Sequence, residues 1–123
     1  MDFQIITNNP KVKTELEETC NVNYFEISYR EILEKVRDMC HGGYKLLSHP
    51  LSGSVKPNET PYKSVMVSAR KGNADSESIH IIENCMIAFD KFPDLGNKWT
   101  PSVLDDFQVI DFYLISGAVG SAI

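Results

Sequence analysis

Hydrophobic positions along the chain follow two different spacings, and the changes between them mark the predicted strands and helices. Short continuous apolar runs are typical of strands that are buried on both faces. Four such runs occur, at residues 3–7, 23–27, 45–48 and 64–68. Elsewhere apolar residues recur every three or four positions, which predicts helices with one buried face.

The first two helices are predicted from this spacing together with residues that favour helix ends. Asn9 is suited to the N-cap of a helix over residues 10–20, where Pro at the first position lacks only an N–H that would be unpaired anyway. Ser28 and Glu31 have the spacing of a capping box at the start of the second helix. The glycine pair at 42–43 ends that helix by adopting left-handed conformations.

A third helix is predicted after the last apolar run. Either Asp75 or Ser76 can serve as its N-cap, and Phe92 followed by Pro93 ends it. Its apolar stripe consists of Ile79, Ile82, Met86 and Phe89. The stripe predicts a single buried face.

The final segment fits two structures. Residues 103–115 have apolar positions that fit a helix and also, over their last part, a strand. We slightly favour a helix that begins near Ser102. The run SGAVG at 116–120 predicts a loose tail over residues 117–123, so residues 1–116 are expected to form a single α/β domain.

The order of these elements predicts the fold class. Strand–helix–strand–helix–strand is typical of parallel strands joined by crossover helices. We therefore expect an α/β three-layer sandwich, with a parallel or mixed central sheet of about four strands and helices on both faces. No helix is predicted between the third and fourth strands, so the fourth strand can run antiparallel.

Charge and composition exclude several function classes. The 123 residues include 17 acidic and 12 scattered basic side chains, for a net charge of −5, which disfavours binding to nucleic acid. Three cysteines, an odd number, favour a reducing compartment over a disulfide framework. No signal peptide or membrane-spanning run is visible. We expect a cytoplasmic protein without membrane contact, and no motif predicts a metal or another cofactor.

Polar residues follow the first three predicted strands. In a parallel sheet, ligands bind at the carboxyl ends of the strands, which here would bring Asn8, Asn9, Ser28 and His49 to one edge. The helices that Asn9 and Ser28 cap would point their positive ends to the same edge. This arrangement predicts a site for a small anion, although each cap can also be only a cap.

The loop over residues 49–64 is the strongest candidate for a functional segment. Polar connections of this length are uncommon in compact domains unless they are functional or disordered, and three prolines stiffen this one. His49 or Glu59 is suited to act as a general acid or base. The other candidate ligand contacts in the loop are Ser52, Ser54, Lys56, Asn58, Tyr62 and Lys63. An ordinary surface loop would have a similar composition.

Four segments of the sequence resemble the GrdX family, whose members are encoded with the glycine, sarcosine and betaine reductase systems of anaerobic bacteria. The longest is the loop with its flanks, LLSHPLSGSVKPNETPYKS at 46–64. The shorter ones are IITNNP at 5–10, EKVRD at 34–38 and DFQVID at 106–111. The resemblance implies an accessory role in reductive amino-acid metabolism, and it carries no catalytic mechanism with it.

Three hypotheses of function follow. The first is an accessory protein that binds a small anionic metabolite at the strand edge through the 49–64 loop. The second is an enzyme that uses His49 as a general acid or base. The third is an interaction module that docks to a reductase subunit.

Overall fold

The computed structural model describes residues 2–51, 59–92 and 98–122, which form a mixed α/β structure with three strands and four helices. In chain order the elements are β1 (Phe3–Thr7), α1 (Pro10–Leu16), β2 (Val22–Tyr24), α2 (Tyr29–His41), β3 (Ser64–Ser68), α3 (Ser76–Asp90) and α4 (Pro101–Ala122). None of the described helices is both long and apolar enough to cross a membrane.

The sheet is mixed, with strand order β2–β1–β3. β1 pairs in parallel with β2 and antiparallel with β3, so the end of β1 lies beside the start of β3. Thr7 is the direct partner of Ser64 at that edge. The central position of β1 explains why all five of its residues are buried.

Each face of the sheet packs against its own pair of helices, because successive strand side chains point to opposite faces. On one face, the side chains of Ile6, Val65 and Val67 pack with α2 and α3. On the other face, Phe3, Ile5 and Met66 pack with α1 and α4. This second contact fixes α4 against the sheet and next to the edge where β1 ends.

The strand predicted at residues 45–48 is wrong, so the described sheet has three strands and not about four. Leu46 forms only an isolated antiparallel bridge to Val67. The backbone N–H groups of Leu47 and Ser48 both donate to the Met66 carbonyl, and the Ser48 hydroxyl accepts from the Met66 N–H. The Ser48 hydroxyl therefore takes the place of the backbone carbonyl that would accept from Met66 N–H in a regular sheet. The segment lies along the outer edge of β3 without forming a strand.

Other predictions of local structure are confirmed. The capping box of Ser28 and Glu31 begins α2, and Asp75 is the N-cap of α3. Gly43 has φ of 107°, the left-handed conformation predicted at the end of α2, whereas Gly42 stays helical at −80°. α1 is shorter than predicted, because it ends at Leu16 and continues only as turns.

The final segment forms a helix, as favoured, and begins at Pro101. The loose tail predicted for residues 117–123 is wrong over the described part, because α4 continues to Ala122. Glycines at 117 and 120 weaken a helix by about 1 kcal/mol each. Val119 is buried against the sheet, and this tertiary contact keeps the last turns helical.

Candidate functional site

A chain of buried hydrogen bonds joins the end of β1, the start of β3 and the middle of α4. The backbone N–H of Asn9 donates to the Thr7 hydroxyl, which lies 2.7 Å from the Ser64 hydroxyl. The Ser64 hydroxyl donates to Asp111 Oδ2 at 2.7 Å, which leaves the Thr7 hydroxyl as the donor to Ser64. The chain thus leads, donor to acceptor, to the carboxylate of Asp111.

Asp111 is the principal polar residue that the sequence reasoning missed. It is only 5% exposed, and its carboxylate also accepts from the Ser64 backbone N–H and from Asn9 Nδ2, both at 3.0 Å. A buried carboxylate is tolerated when donors of this kind compensate for lost hydration. In a helix, the spacing of four residues places Asp111 on the same face as Ile115 and Val119, which could have indicated a buried carboxylate. Because residues 103–115 also fitted a strand, the sequence did not show which face is buried.

The side chains of Asn8 and Asn9 hold this edge of the sheet together. Asn8 Nδ2 donates to the carbonyls of Ile27 and Pro61, both at 2.9 Å, and Asn8 Oδ1 accepts from the Lys63 N–H. Asn9 caps α1 through its side-chain oxygen and donates from Nδ2 to α4. Both side chains form several hydrogen bonds within the chain. Contact of either one with a ligand stays a prediction.

The other residues predicted at the edge are exposed. Ser28 is the N-cap of α2, and the side chain of Glu31 completes its capping box. His49 is exposed, and its Nδ1 accepts from the Leu51 N–H at 3.1 Å, so the neutral imidazole carries its proton on Nε2. Glu59 is exposed as well. Four further candidates lie outside the described residues, namely Ser52, Ser54, Lys56 and Asn58.

Lys63 is a buried cation beside a small cavity. Lys63 is only 3% exposed. It lines a cavity of about 20 Å³, which is enough for about one water molecule. The other lining residues are Tyr29, Thr60, Tyr62, Phe107, Ile110, Asp111 and Leu114. Burial lowers the pKa of Lys63, while the negative charge of Asp111 opposes that shift.

Two tyrosines bring hydroxyl groups to this cavity. The Tyr29 ring stacks on Phe89, and burial raises the pKa of Tyr29, so its hydroxyl stays protonated at neutral pH. The hydroxyl of Tyr62 accepts a hydrogen bond from Gln108 Nε2 at 3.1 Å and keeps its own proton to donate. The Tyr29 hydroxyl donates to the Pro50 carbonyl at 3.5 Å, so of the two it is the Tyr62 hydroxyl that is suited to donate to an oxyanion.

A second cavity adjoins the first. It measures about 270 Å³ and is lined by Leu47, Ser48, His49, Ser64, Leu114, Ile115 and Ala118. Leu114 borders both cavities. Of the residues predicted from the sequence, His49, Tyr62 and Lys63 therefore line adjoining spaces along α4.

Nothing in the described part of the chain forms a metal site, since no cluster of three or more His, Cys, Asp or Glu side chains could hold an ion there. Cys20, Cys40 and Cys85 are free and buried. Burial raises the pKa of Cys40 to about 11 and also raises that of Cys85, so these two thiols are protonated and weakly nucleophilic.

The comparisons with known proteins give one match. Residues 4–120 match the family model described as GrdX-like protein, which covers nearly the whole chain and confirms the resemblance. No curated protein and no solved structure matches the sequence.

Proposed function

This chain belongs to the GrdX-like protein family, and we propose that it is an accessory protein of glycine, sarcosine or betaine reductase metabolism that binds a small anionic metabolite beside Lys63. The family supports only the metabolic context. The side chains around Lys63 support the anion site, and the three buried free thiols favour the cytoplasm as the compartment.

The observation that carries the proposal is the burial of Lys63, which is only 3% exposed and lines a cavity. A charge removed from water interacts with a neighbouring ion far more strongly than an exposed one does. Asp111 is the nearby carboxylate, and three donors from Asn9 and Ser64 already share its charge. An oxyanion that places one oxygen in this cavity would interact with Lys63 in surroundings largely shielded from water.

The hydroxyls around Lys63 fit the same ligand class. Tyr62 and Thr60 line the cavity and are suited to donate to carboxylate or phosphate oxygens. His49, on the adjoining cavity, accepts from the Leu51 N–H at Nδ1 and has Nε2–H to donate to the ligand. The remaining loop candidates, Ser52, Ser54, Lys56 and Asn58, stay predicted contacts of the ligand.

Thermal unfolding with added phosphate, acetyl phosphate or glycine tests the proposal. We expect at least one of them to raise the melting temperature of the wild type, because a hundredfold excess over Kd adds about 2.7 kcal/mol to the free energy of unfolding. Lys63→Met should abolish the shift, because it removes the charge and keeps a long side chain. Lys71→Met, at an exposed lysine after β3, is the matched control and should keep it.

The pH dependence of the ligand effect gives a second readout. The anion requires the protonated ammonium, so stabilisation is present below the pKa of Lys63 and is lost as pH rises through it. Because burial lowers that pKa from 10.5, the loss should begin below the range of an exposed lysine. Lys63→Arg keeps its charge and should keep the effect. Equal ligand shifts in wild type and Lys63→Met, or none in the wild type, would overturn the proposal.

A further inference from the structure

α4 is apolar on two sides, and only one of them is covered by the sheet. Ile115 and Val119 lie on the buried side. Val103, Phe107, Ile110 and Leu114 follow one another at spacings of four, three and four residues on another side, and we call this set the α4 stripe. Val103 is 36%, Ile110 42% and Leu114 39% exposed, which is unusual for large apolar side chains in a regular stripe.

The apolar surface extends beyond the stripe itself. Tyr113, next to the stripe on the helix, is 70% exposed, and Leu47, which shares a cavity with Leu114, is 43% exposed. Together these side chains expose a few hundred Å², a patch size that is often functional on a monomer. A second apolar side on a helix is not needed for packing on the sheet, which one side already provides.

The charges around the stripe indicate what covers it. α4 contains no Lys or Arg, and its exposed charges are Asp105 and Asp106, the latter adjoining the stripe. The chain as a whole has a net charge of −5. A second copy would bring like charges together, and the patch is smaller than the ~800 Å² per partner of a stable interface. A basic partner is complementary.

We propose that the α4 stripe docks an amphipathic helix of a partner protein, with Lys or Arg residues flanking the apolar side of that helix. Apolar side chains at spacings of three and four are the surface that such a helix packs against. The basic flanks would pair with Asp106, the exposed charge that adjoins the stripe. Docking can be measured without an anion, and Val103 and Tyr113 probe it separately because they lie outside the Lys63 cavity.

A designed peptide tests this docking by fluorescence anisotropy. The probe is a labelled helix of about 18 residues, with Leu at heptad positions a and d and Lys at e and g. Its counterpart carries Glu in place of Lys. We expect wild type to bind the Lys peptide about tenfold more tightly than the Glu peptide. Val103→Ser and Tyr113→Ser should each weaken binding of the Lys peptide by about tenfold.

Ile87 provides the matched control, because it is 57% exposed on α3, outside the stripe. Ile87→Ser should leave the affinity unchanged. Equal binding of both peptides, no binding, or equal affinity of the stripe variants and wild type would overturn the proposal. Sedimentation should find the wild type monomeric, and a dimer that Tyr113→Ser abolishes would identify a second copy as the occupant instead.

Discussion

Single residues at the edge of the sheet carry charges that the rest of the chain compensates. Asp111 and Lys63 are both nearly inaccessible to water and line the same cavity. The electrostatic influence of Asp111 raises the pKa of Lys63 against the effect of burial. Each charge therefore lowers the cost of burying the other, and the edge tolerates both.

Asp111→Asn is expected to lower the free energy of unfolding by about 2–4 kcal/mol. One side-chain oxygen accepts from the Ser64 N–H and the other from Asn9 and the Ser64 hydroxyl, so the new amide NH₂ faces a donor in either orientation. Urea unfolding measures the loss. Asp105→Asn, at an exposed position of the same helix, should change stability by less than about 0.5 kcal/mol. Equal effects of the two variants would contradict this account.

Part of the candidate site could be predicted from residue types alone. The composition of the 49–64 loop pointed to His49, Tyr62 and Lys63, which line adjoining cavities. It did not point to Asp111, because that residue reaches the edge from a helix whose buried face the sequence left ambiguous. Nor did it predict that the side chains of Asn8 and Asn9 would form hydrogen bonds within the chain. An asparagine amide can bind a ligand or other parts of the protein, and residue type alone does not distinguish the two.

At the scale of elements, strongly periodic helices were predictable and the short apolar run was not. α2 combines a capping box with a regular stripe, and these local signals agree. Residues 45–48 have no helix cap or periodicity, and their short apolar run fits either a regular strand or an irregular segment beside one. The bond from Met66 N–H to the Ser48 hydroxyl decides between them, and it depends on where β3 lies.

The end of α2 gives a prediction at this scale, because its two glycines differ in conformation. Gly43 has positive φ, and a Cβ there would collide with the carbonyl oxygen of Gly72. Gly43→Ala should therefore lower the unfolding free energy by about 2–4 kcal/mol. Gly42→Ala, at helical φ, should change it by less than about 1 kcal/mol. Chemical denaturation compares them, and similar losses in both would show that the conformation of Gly43 is not required.

At the scale of the whole molecule, the two proposed binding surfaces meet on α4. Phe107, Ile110 and Leu114 belong to the α4 stripe and also line the Lys63 cavity. A helix docked on the stripe would cover the cavity and exclude water from it. Exclusion of water strengthens the interaction between Lys63 and a bound anion.

We therefore expect the two ligands to bind cooperatively. Saturating phosphate should lower the Kd of the Lys peptide by about fivefold or more, and the peptide should lower the Kd of phosphate by the same factor. Anisotropy titrations at constant ionic strength measure the effect. Tyr113→Ser should weaken peptide binding without changing phosphate affinity, because Tyr113 does not line the cavity. Peptide affinity that is independent of phosphate would contradict the coupling.

The hydrogen-bond chain at the sheet edge also determines when during folding a site can exist. Thr7 and Ser64 are 57 positions apart, and Asn9 and Asp111 are 102 apart. Contacts between such distant segments form late, because large loops must close first. The pocket beside Lys63 is therefore complete only when α4 has joined the sheet, and a chain that binds its ligand has finished folding from end to end.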